Sequence, residues 1–472
     1  MWTLPAPLPI YCRRTQARRP FVREDLHLEN SVPDPPVSHP NPHPELPAAS
    51  VVEPRLRLDC RNFRGDRPCA AGVQGVCPTS CPQCRPIDTR ILLIKLGALG
   101  DVIRTAALLP GLKAAWPESH ITWVSRPAGV RMLANHPLID RLLPFDAESL
   151  CHLECEQFDL CLSLDKEPAP AALAMRVRAA QRRGIGLSRF GTVFPLNSQC
   201  AAYFRLGLDD EFKFRCNQKT YQELIYQAVG LSYRGERYQL YPGAAHCRWA
   251  GRRWQAHQVE PHEKVIGLNT GAGDAFANKI WRAEKFTRLA RELVRKHGWR
   301  VALLGGPREA QTNKAIAAAC AGLVGRGGGP AVVDVCAAGS EGGVGAGRHA
   351  QDAPSSPALH ELEFAALVER CNVVVTGDTM AMHVAIALGV PAVVLFGPTC
   401  PQEIDLYGCG TKICTRLPCA PCYRRACDKS PNCMDDIGVP EVLAAVEHWA
   451  EVTPETPASV TAVPSPAMCC SQ

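Results

Sequence analysis

No apolar run in this 472-residue chain reaches the roughly 20 residues that a membrane-spanning helix needs. Arginines 13, 14, 18 and 19 stand near the start, but no apolar segment follows them. A secretory signal is therefore not expected, and the reading is a cytoplasmic protein. Charge of one sign is also scarce. The 52 Lys and Arg against 46 Asp and Glu leave only +6. That excludes the strong basic footprint of most nucleic-acid binders. It is compatible with an anionic small ligand or an anionic membrane surface. The dinucleotide fingerprint G-x-G-x-x-G is missing as well, which argues against a dehydrogenase.

Cysteine is the residue in excess, with 24 copies. In a reducing compartment these are expected as thiols or metal ligands rather than disulfides.

Residues 1–55 are proline-rich and are expected to be disordered. A small cysteine-rich segment occupies 56–88. From there the pattern becomes regular. ILLIKL at 91–96 is a nearly continuous apolar run, as in a strand buried on both faces. A helix follows to about Trp116, and ITWVS and FDLCLSLD read as further strands. A second unit opens with VIGLNTG near Lys264. The amphipathic helix 284–298, closed by Gly298, follows it. WRVALLGGP, FAALVERC and NVVVTGD continue the alternation. The expectation is an α/β protein of two domains, 89–255 and 256–440, each with a parallel sheet and crossover helices. Residues 321–357 read as a flexible surface insertion. A last helix begins near Glu441, and the tail from Thr453 is expected to be disordered.

Three strand-to-helix turns carry the chemistry. Ligands of open α/β sheets bind at such places, outside the carboxyl ends of the strands. The first is Leu96-Gly97-Ala98-Leu99-Gly100-Asp101. Its glycines permit a tight turn, and its acid stands at a helix start. Taken alone, Asp101 reads first as a helix cap, a role compatible with that of a base. The second turn holds Thr270, Gly271, Gly273 and Lys279, the hydroxyl, free amides and cation that a phosphate needs. Glu309, past the next strand, reads first as a surface glutamate, with acceptance from a ribose hydroxyl as the alternative. The third turn holds Gly377, Asp378, Thr379 and, one helical turn on, His383; taken alone, Asp378 and Thr379 also read as a capping pair and His383 reads first as a core histidine.

Three segments together resemble glycosyltransferase family 9. They are ILLIKLGALGDVIRTAALLPGLKAAWP, GLNTGAGDAFANKIWRAEKFTRLARELVRKHGWRVALLGGPRE and TGDTMAMHVAIALGVPAVVLFGPT. The family contains the ADP-heptose:lipopolysaccharide heptosyltransferases, and the resemblance covers about 89–440. It implies a GT-B fold, two Rossmann-like domains facing across a cleft, and an inverting reaction without a catalytic metal. It implies Asp101 as base and Thr270, Gly271 and Lys279 at the donor phosphate. It also places Glu309, Gly377, Asp378, Thr379 and His383 at the nucleotide and sugar. The partners implied are a nucleotide-sugar donor and a saccharide or lipid-linked acceptor, met at the inner membrane surface. Nucleic acid is not among them. One position departs from the pattern: Met380 stands where the family commonly has glycine.

Two further groups invite readings of their own. Arg176, Arg178, Arg182 and Arg183 offer positive charge to an anionic acceptor, or form a solvated helix face. Cys60, Cys69, Cys77, Cys81 and Cys84 form one cysteine group. Cys414, Cys419, Cys422, Cys427 and Cys433 form the other. Thiolates so spaced suit a structural zinc or iron–sulfur centre, which the two groups would share if the chain ends met. The competing function is a non-catalytic nucleotide-sugar-binding or metal-sensing protein.

Overall fold

A strand whose side chains are apolar on both faces needs a helix layer on each side, and Ile91–Ile94 has both. The computed structural model describes residues 56–71, 81–273, 277–337 and 360–452. The proline-rich start, Cys77, most of the expected insertion and the tail lie outside the described residues.

The first sheet contains β1 (Arg90–Ile94), β2 (His120–Ser125), β3 (Arg141–Pro144), β4 (Gln157–Ser163), β5 (Arg178–Leu187) and β6 (Val193–Pro195). Their order is β3-β2-β1-β4-β5-β6. All pairs are parallel except β5 with β6. The second sheet contains β7 (Val265–Asn269), β8 (Arg300–Leu304), β9 (Val332–Asp334), β10 (Val373–Gly377), β11 (Ala392–Phe396) and β12 (Gly410–Cys414). Its order is β12-β11-β10-β7-β8-β9, parallel throughout. Each sheet has the doubly wound order, reversing direction beside its first strand. Both belong to one compact unit, and one buried apolar cluster runs from Ile91 through Leu406.

Three local expectations change. The helix after β1 is two, Leu99–Thr105 and Leu108–Ala115. Pro110 is the cause: it has no N–H, and its ring crowds the carbonyl four residues back, at Ala106. The expected insertion from 321 begins as structure. Val332 and Val333 are buried in β9, which pairs with β8. The short run AVVDV was the signal, hidden by the glycines on both sides. The helix Val439–Glu451 is no appendage, since Val442, Val446 and Ala450 lie in the core beside the second sheet.

The helix Ala283–His297 buries Phe286, Leu289, Ala290, Leu293 and Val294, one stripe at helical spacing. Gly298 ends it with φ of +66°, a left-handed conformation that glycine adopts without a Cβ clash. Beyond it, Arg300 is fully buried at the start of β8. Its Nε donates to Glu263 Oε1 at 2.9 Å, and its other nitrogens reach the carbonyls of Gln258 and Pro330. Removing one partner of such a pair strands a buried charge. Arg300→Ala is therefore expected to lower stability by about 3–5 kcal/mol, read from chemical unfolding. A loss below about 1 kcal/mol would mean that Glu263 finds water instead.

Candidate active site

The reversal points lie between β1 and β4 in the first sheet, and between β7 and β10 in the second. The three turns singled out by sequence follow β1, β7 and β10. Each therefore stands at a reversal point, where the crevice of a doubly wound sheet opens.

In the first turn the helix cap is Ala98, which makes no side-chain bond. Asp101 is the third helical residue, so its carboxylate is not engaged as the cap. It pairs instead with Arg104 at 2.7 Å and keeps about a third of its surface exposed, at 34%. Arg104 lies over the Tyr221 ring at 3.8 Å, and Tyr221 hydroxyl bonds Thr105 Oγ1 at 2.7 Å. The turn is held from β4. Asp165 accepts from the amides of Leu96 and Gly97 and ion-pairs with Lys95. Asp165, Lys95 and Arg104 were missed in the sequence. The one signal was a lysine inside the otherwise apolar ILLIKL.

In the second turn Thr270 is buried, and its hydroxyl donates to Asn313 Oδ1 at 2.6 Å. A methyl group on Gly271 would lie 2.3 Å from Glu309 Oε1, so the glycine permits the Glu309 carboxylate to lie across the turn. Glu309 Oε2 accepts from Gly306 N at 2.7 Å, beyond the carboxyl end of β8. Lys279 Nζ donates to the Asp378 carbonyl and to its Oδ2, both at 3.1 Å.

In the third turn Asn269 ties the strand ends together, donating to Gly271 O at 2.9 Å and Thr379 Oγ1 at 3.3 Å. Thr379 caps the helix Met380–Leu388 without a side-chain bond, so the first amides of that helix face the crevice. Met380 packs against the apolar core. His383 is buried, with Nδ1 3.1 Å from the Tyr238 hydroxyl.

The two halves meet at this level. A Cβ on Gly100 would lie 2.6 Å from His383 Cδ2. The first-turn helix therefore lies directly against the third-turn helix, bringing Asp101 and Asp378 to one crevice. Their electrostatics agree. Burial would raise the Asp101 pKa, but Arg104, Lys95 and His383 lower it to about 2. Burial raises Asp378 too, and Lys279 and His383 bring it below its ordinary value. His383 falls to about 4, because burial and Arg104 disfavour the imidazolium against Asp378 and Asp101. It is therefore neutral at neutral pH. As the pH drops below its ordinary value of 6.5, the unfolded chain takes the proton first. His383 thus costs stability progressively down to about pH 4.

Two expectations are corrected. The four arginines do not form one helix face. AMRVRAAQRRG is not one helix: Arg176 ends a helix, and Arg178 begins β5 beside the amino end of β4. Arg176 pairs with Glu154, Arg182 binds the Ala174, Val177 and Ala179 carbonyls, and Arg183 binds Val229 O. Arg176, Arg182 and Arg183 thus bond within the first half of the chain. The cysteine groups, for their part, do not share a site. Cys60 bridges to Pro86, and Arg61 anchors that segment to Asp140 and Ser119 O, at the amino ends of β2 and β3. The amides of Cys422 and Tyr423 instead bond Pro398 O, beyond the carboxyl end of β11. No disulfide joins the described cysteines, and no three His, Cys, Asp or Glu among the described residues stand as a metal-ligand group.

The fold and this crevice define a two-domain transferase of the GT-B type. The family model of glycosyltransferase family 9 (heptosyltransferase) matches residues 152–337 and 356–432, more than half of the chain. The chain belongs to that family and is a glycosyltransferase. Lipopolysaccharide heptosyltransferase 1 of Pseudomonas aeruginosa is 26% identical over 359 residues, spanning 73% of this chain and 88% of its own. A glycosyl transferase family 9 structure from Veillonella parvula superposes with a TM-score of 0.56 at 20% identity, covering 77% of this chain and 97% of the other. The ADP-heptose lps heptosyltransferase II of E. coli gives 0.53 at 18% identity, covering 76% and 98%. At those identities the two structures speak for the fold.

Gly100→Ala should push the two helices apart while leaving each half folded. A misplacement near 1 Å costs about 10²-fold in rate. We expect a loss of that order in kcat/KM with an unchanged circular-dichroism spectrum. Adding His383→Ala should cost little more, because the clash is then relieved. Fully multiplicative losses would show that Gly100 and His383 act independently.

Proposed function

We propose that this enzyme transfers a heptose from ADP-heptose to a saccharide of the lipopolysaccharide-core type, with inversion and without a catalytic metal. The observation that carries this is one crevice holding a carboxylate from the first half, Asp101, opposite a cation and helix terminus from the second, Lys279 and Met380–Leu388.

The reaction follows from that opposition. An acceptor hydroxyl attacks the anomeric carbon from the side of Asp101. The bond to the diphosphate breaks on the other face, its electron pair going to the phosphate oxygen, so the centre inverts. The hydroxyl proton passes to Asp101. Charge growing on the diphosphate is met by Lys279 and by the free amides at the start of the Met380–Leu388 helix. These supply what a divalent cation supplies elsewhere. Thr270, its amide bonded to Leu304 O and its hydroxyl to Asn313, shapes the turn, and Gly271 leaves room for Glu309 beside the ribose. Acceptor charge is met by Lys166 and Lys213 of the first half. Burial and Lys213 lower the Lys166 pKa to about 8, against Glu403 and Cys200.

No described helix is long and apolar enough to cross a membrane. Contact with the membrane surface is supported by Phe190 and Leu208, 76% and 74% exposed on the first half. A structural zinc or iron–sulfur centre remains a separate proposal, for the second cysteine group alone. Burial raises the Cys433 thiol to about 11, and the nearby Cys422 and Cys427 add to the rise. Elemental analysis of anaerobically purified protein should find the metal in stoichiometric amount. Its absence from stable, active protein would leave these as plain thiols.

The function is tested by thermal unfolding with a panel of nucleoside diphosphates and their sugars. ADP-heptose and ADP should stabilise most, by about 2.7 kcal/mol at a hundredfold excess over Kd. Lys279→Ala should abolish most of that shift. No shift with any member would end the donor reading.

Asp101→Asn should retain it but lose roughly 10²–10⁴ in rate. Asp101 is depressed, so it is ionised at every working pH and loses its proton-accepting form only as the pH falls through about 2. The kcat/KM profile of the free enzyme should therefore show no limb from this residue between about pH 5 and 8. Near-normal turnover by Asp101→Asn would place the base elsewhere.

A further inference from the structure

Glu403 lies outside everything assigned so far. It ends the short turn Pro401–Glu403, beyond the carboxyl end of β11. It is 9% exposed, and its Oε1 is buried with no hydrogen-bond partner. Four charged side chains of the crevice act on it: Arg104, Lys213, Asp378 and Asp101. Two of these are the base and its partner, one belongs to the donor turn, and the last, Lys213, belongs to the first half. The carboxyl group therefore sits where donor and acceptor meet.

The two residues before it are held, while its own Oε1 has no partner. Gln402 Nε2 donates to Lys213 O at 3.2 Å, and Lys412 Nζ donates to Pro401 O at 2.9 Å. Lys213 Nζ stands 3.5 Å from the centroid of Tyr423, which stacks on Phe214 at 5.6 Å and 5°. The Gln402 bond ties the turn to the first half, and the Lys412 bond ties it to β12. Buried polar atoms are nearly always paired, so an orphaned carboxyl oxygen in a crevice points to a ligand. Burial raises the Glu403 pKa, and Arg104 and Lys213 oppose the rise. In either protonation state an unbonded carboxyl oxygen can accept from a hydroxyl.

We propose that Glu403 is a specificity-determining residue that accepts hydrogen bonds from sugar hydroxyls at the point of transfer. The proposal rests on the nucleotide-sugar reading above. The hydroxyls belong to the transferred sugar or to the acceptor saccharide, and the experiment separates the two.

Wild type, Glu403→Ala and Glu403→Gln are titrated calorimetrically with ADP and with ADP-heptose, and then assayed with deacylated, heptose-deficient lipopolysaccharide. If the transferred sugar is read, Glu403→Ala loses about tenfold or more in ADP-heptose affinity while ADP affinity stays. Glu403→Gln, which keeps the shape and one acceptor oxygen, loses less. If the acceptor is read, donor affinities stay and the acceptor KM rises about tenfold. Retained ADP affinity reports that each variant is folded. If both measures stay within about threefold of wild type, the proposal is overturned. If wild type itself binds neither ADP nor ADP-heptose, it is the functional reading that fails, and this proposal falls with it.

Discussion

Everything in the crevice depends on how closely two helices approach, Leu99–Thr105 from the first half and Met380–Leu388 from the second. Gly100 has no side chain, and the His383 ring occupies the space a side chain would take. The next residue after Gly100 is Asp101. One turn before His383 stand Asp378 and Thr379. The contact thus sets Asp101 and the Asp378-Thr379 turn at one level, with no loop between them to relax. Protein interiors transmit such constraints because they are close-packed. The same contact explains the protonation of His383. A charged ring there would lie beside Arg104 in a buried place, and Tyr238 holds the ring through its other edge.

The fold was legible because its strands are buried on both faces. Apolar runs such as ILLIKL, VIGLN and NVVVTG have no other comfortable environment in a soluble protein. The turns were legible for a related reason: glycine, acid and hydroxyl residues between a strand and a helix leave few alternatives. What stayed hidden was context. Whether Asp101 caps its helix depends on Ala98 and Arg104, which sequence spacing does not rank. Thr270 reads as a phosphate hydroxyl until Asn313, 43 positions on, is seen to take its proton. β9 was overlooked because a strand of three residues, two of them buried, carries too little periodicity to count.

The arginines and cysteines failed for a different reason. Clustering along the chain is not clustering in space. Arg182 and Arg183 are neighbours whose side chains bind a helix end and Val229 O respectively. The two cysteine groups lie at opposite strand ends, one at the amino ends of β2 and β3 and one past β11. Neither location follows from the spacing of the residues. By contrast, Asp165, Lys95 and Glu403 are lone residues without a motif, and the topology alone brings them to the crevice.

Arg104 is the charge around which the crevice is balanced. It pairs directly with Asp101 and acts on Asp378 and Glu403 as well. Its own burial opposes its charge, and these carboxylates outweigh that, so its pKa is raised. A carboxylate held near pKa 2 is a weak base at neutral pH, since base strength follows pKa. On the proposed reaction the weakness is a resting-state property. A diphosphate entering beside Asp378 and Lys279 is a stronger anion than any one carboxylate, and it competes for the same guanidinium. Whatever attraction Arg104 gives to the phosphate it withdraws from Asp101. The base then strengthens as the donor binds, and an empty enzyme holds it quenched. On that proposal, donor binding and base activation are coupled through one side chain.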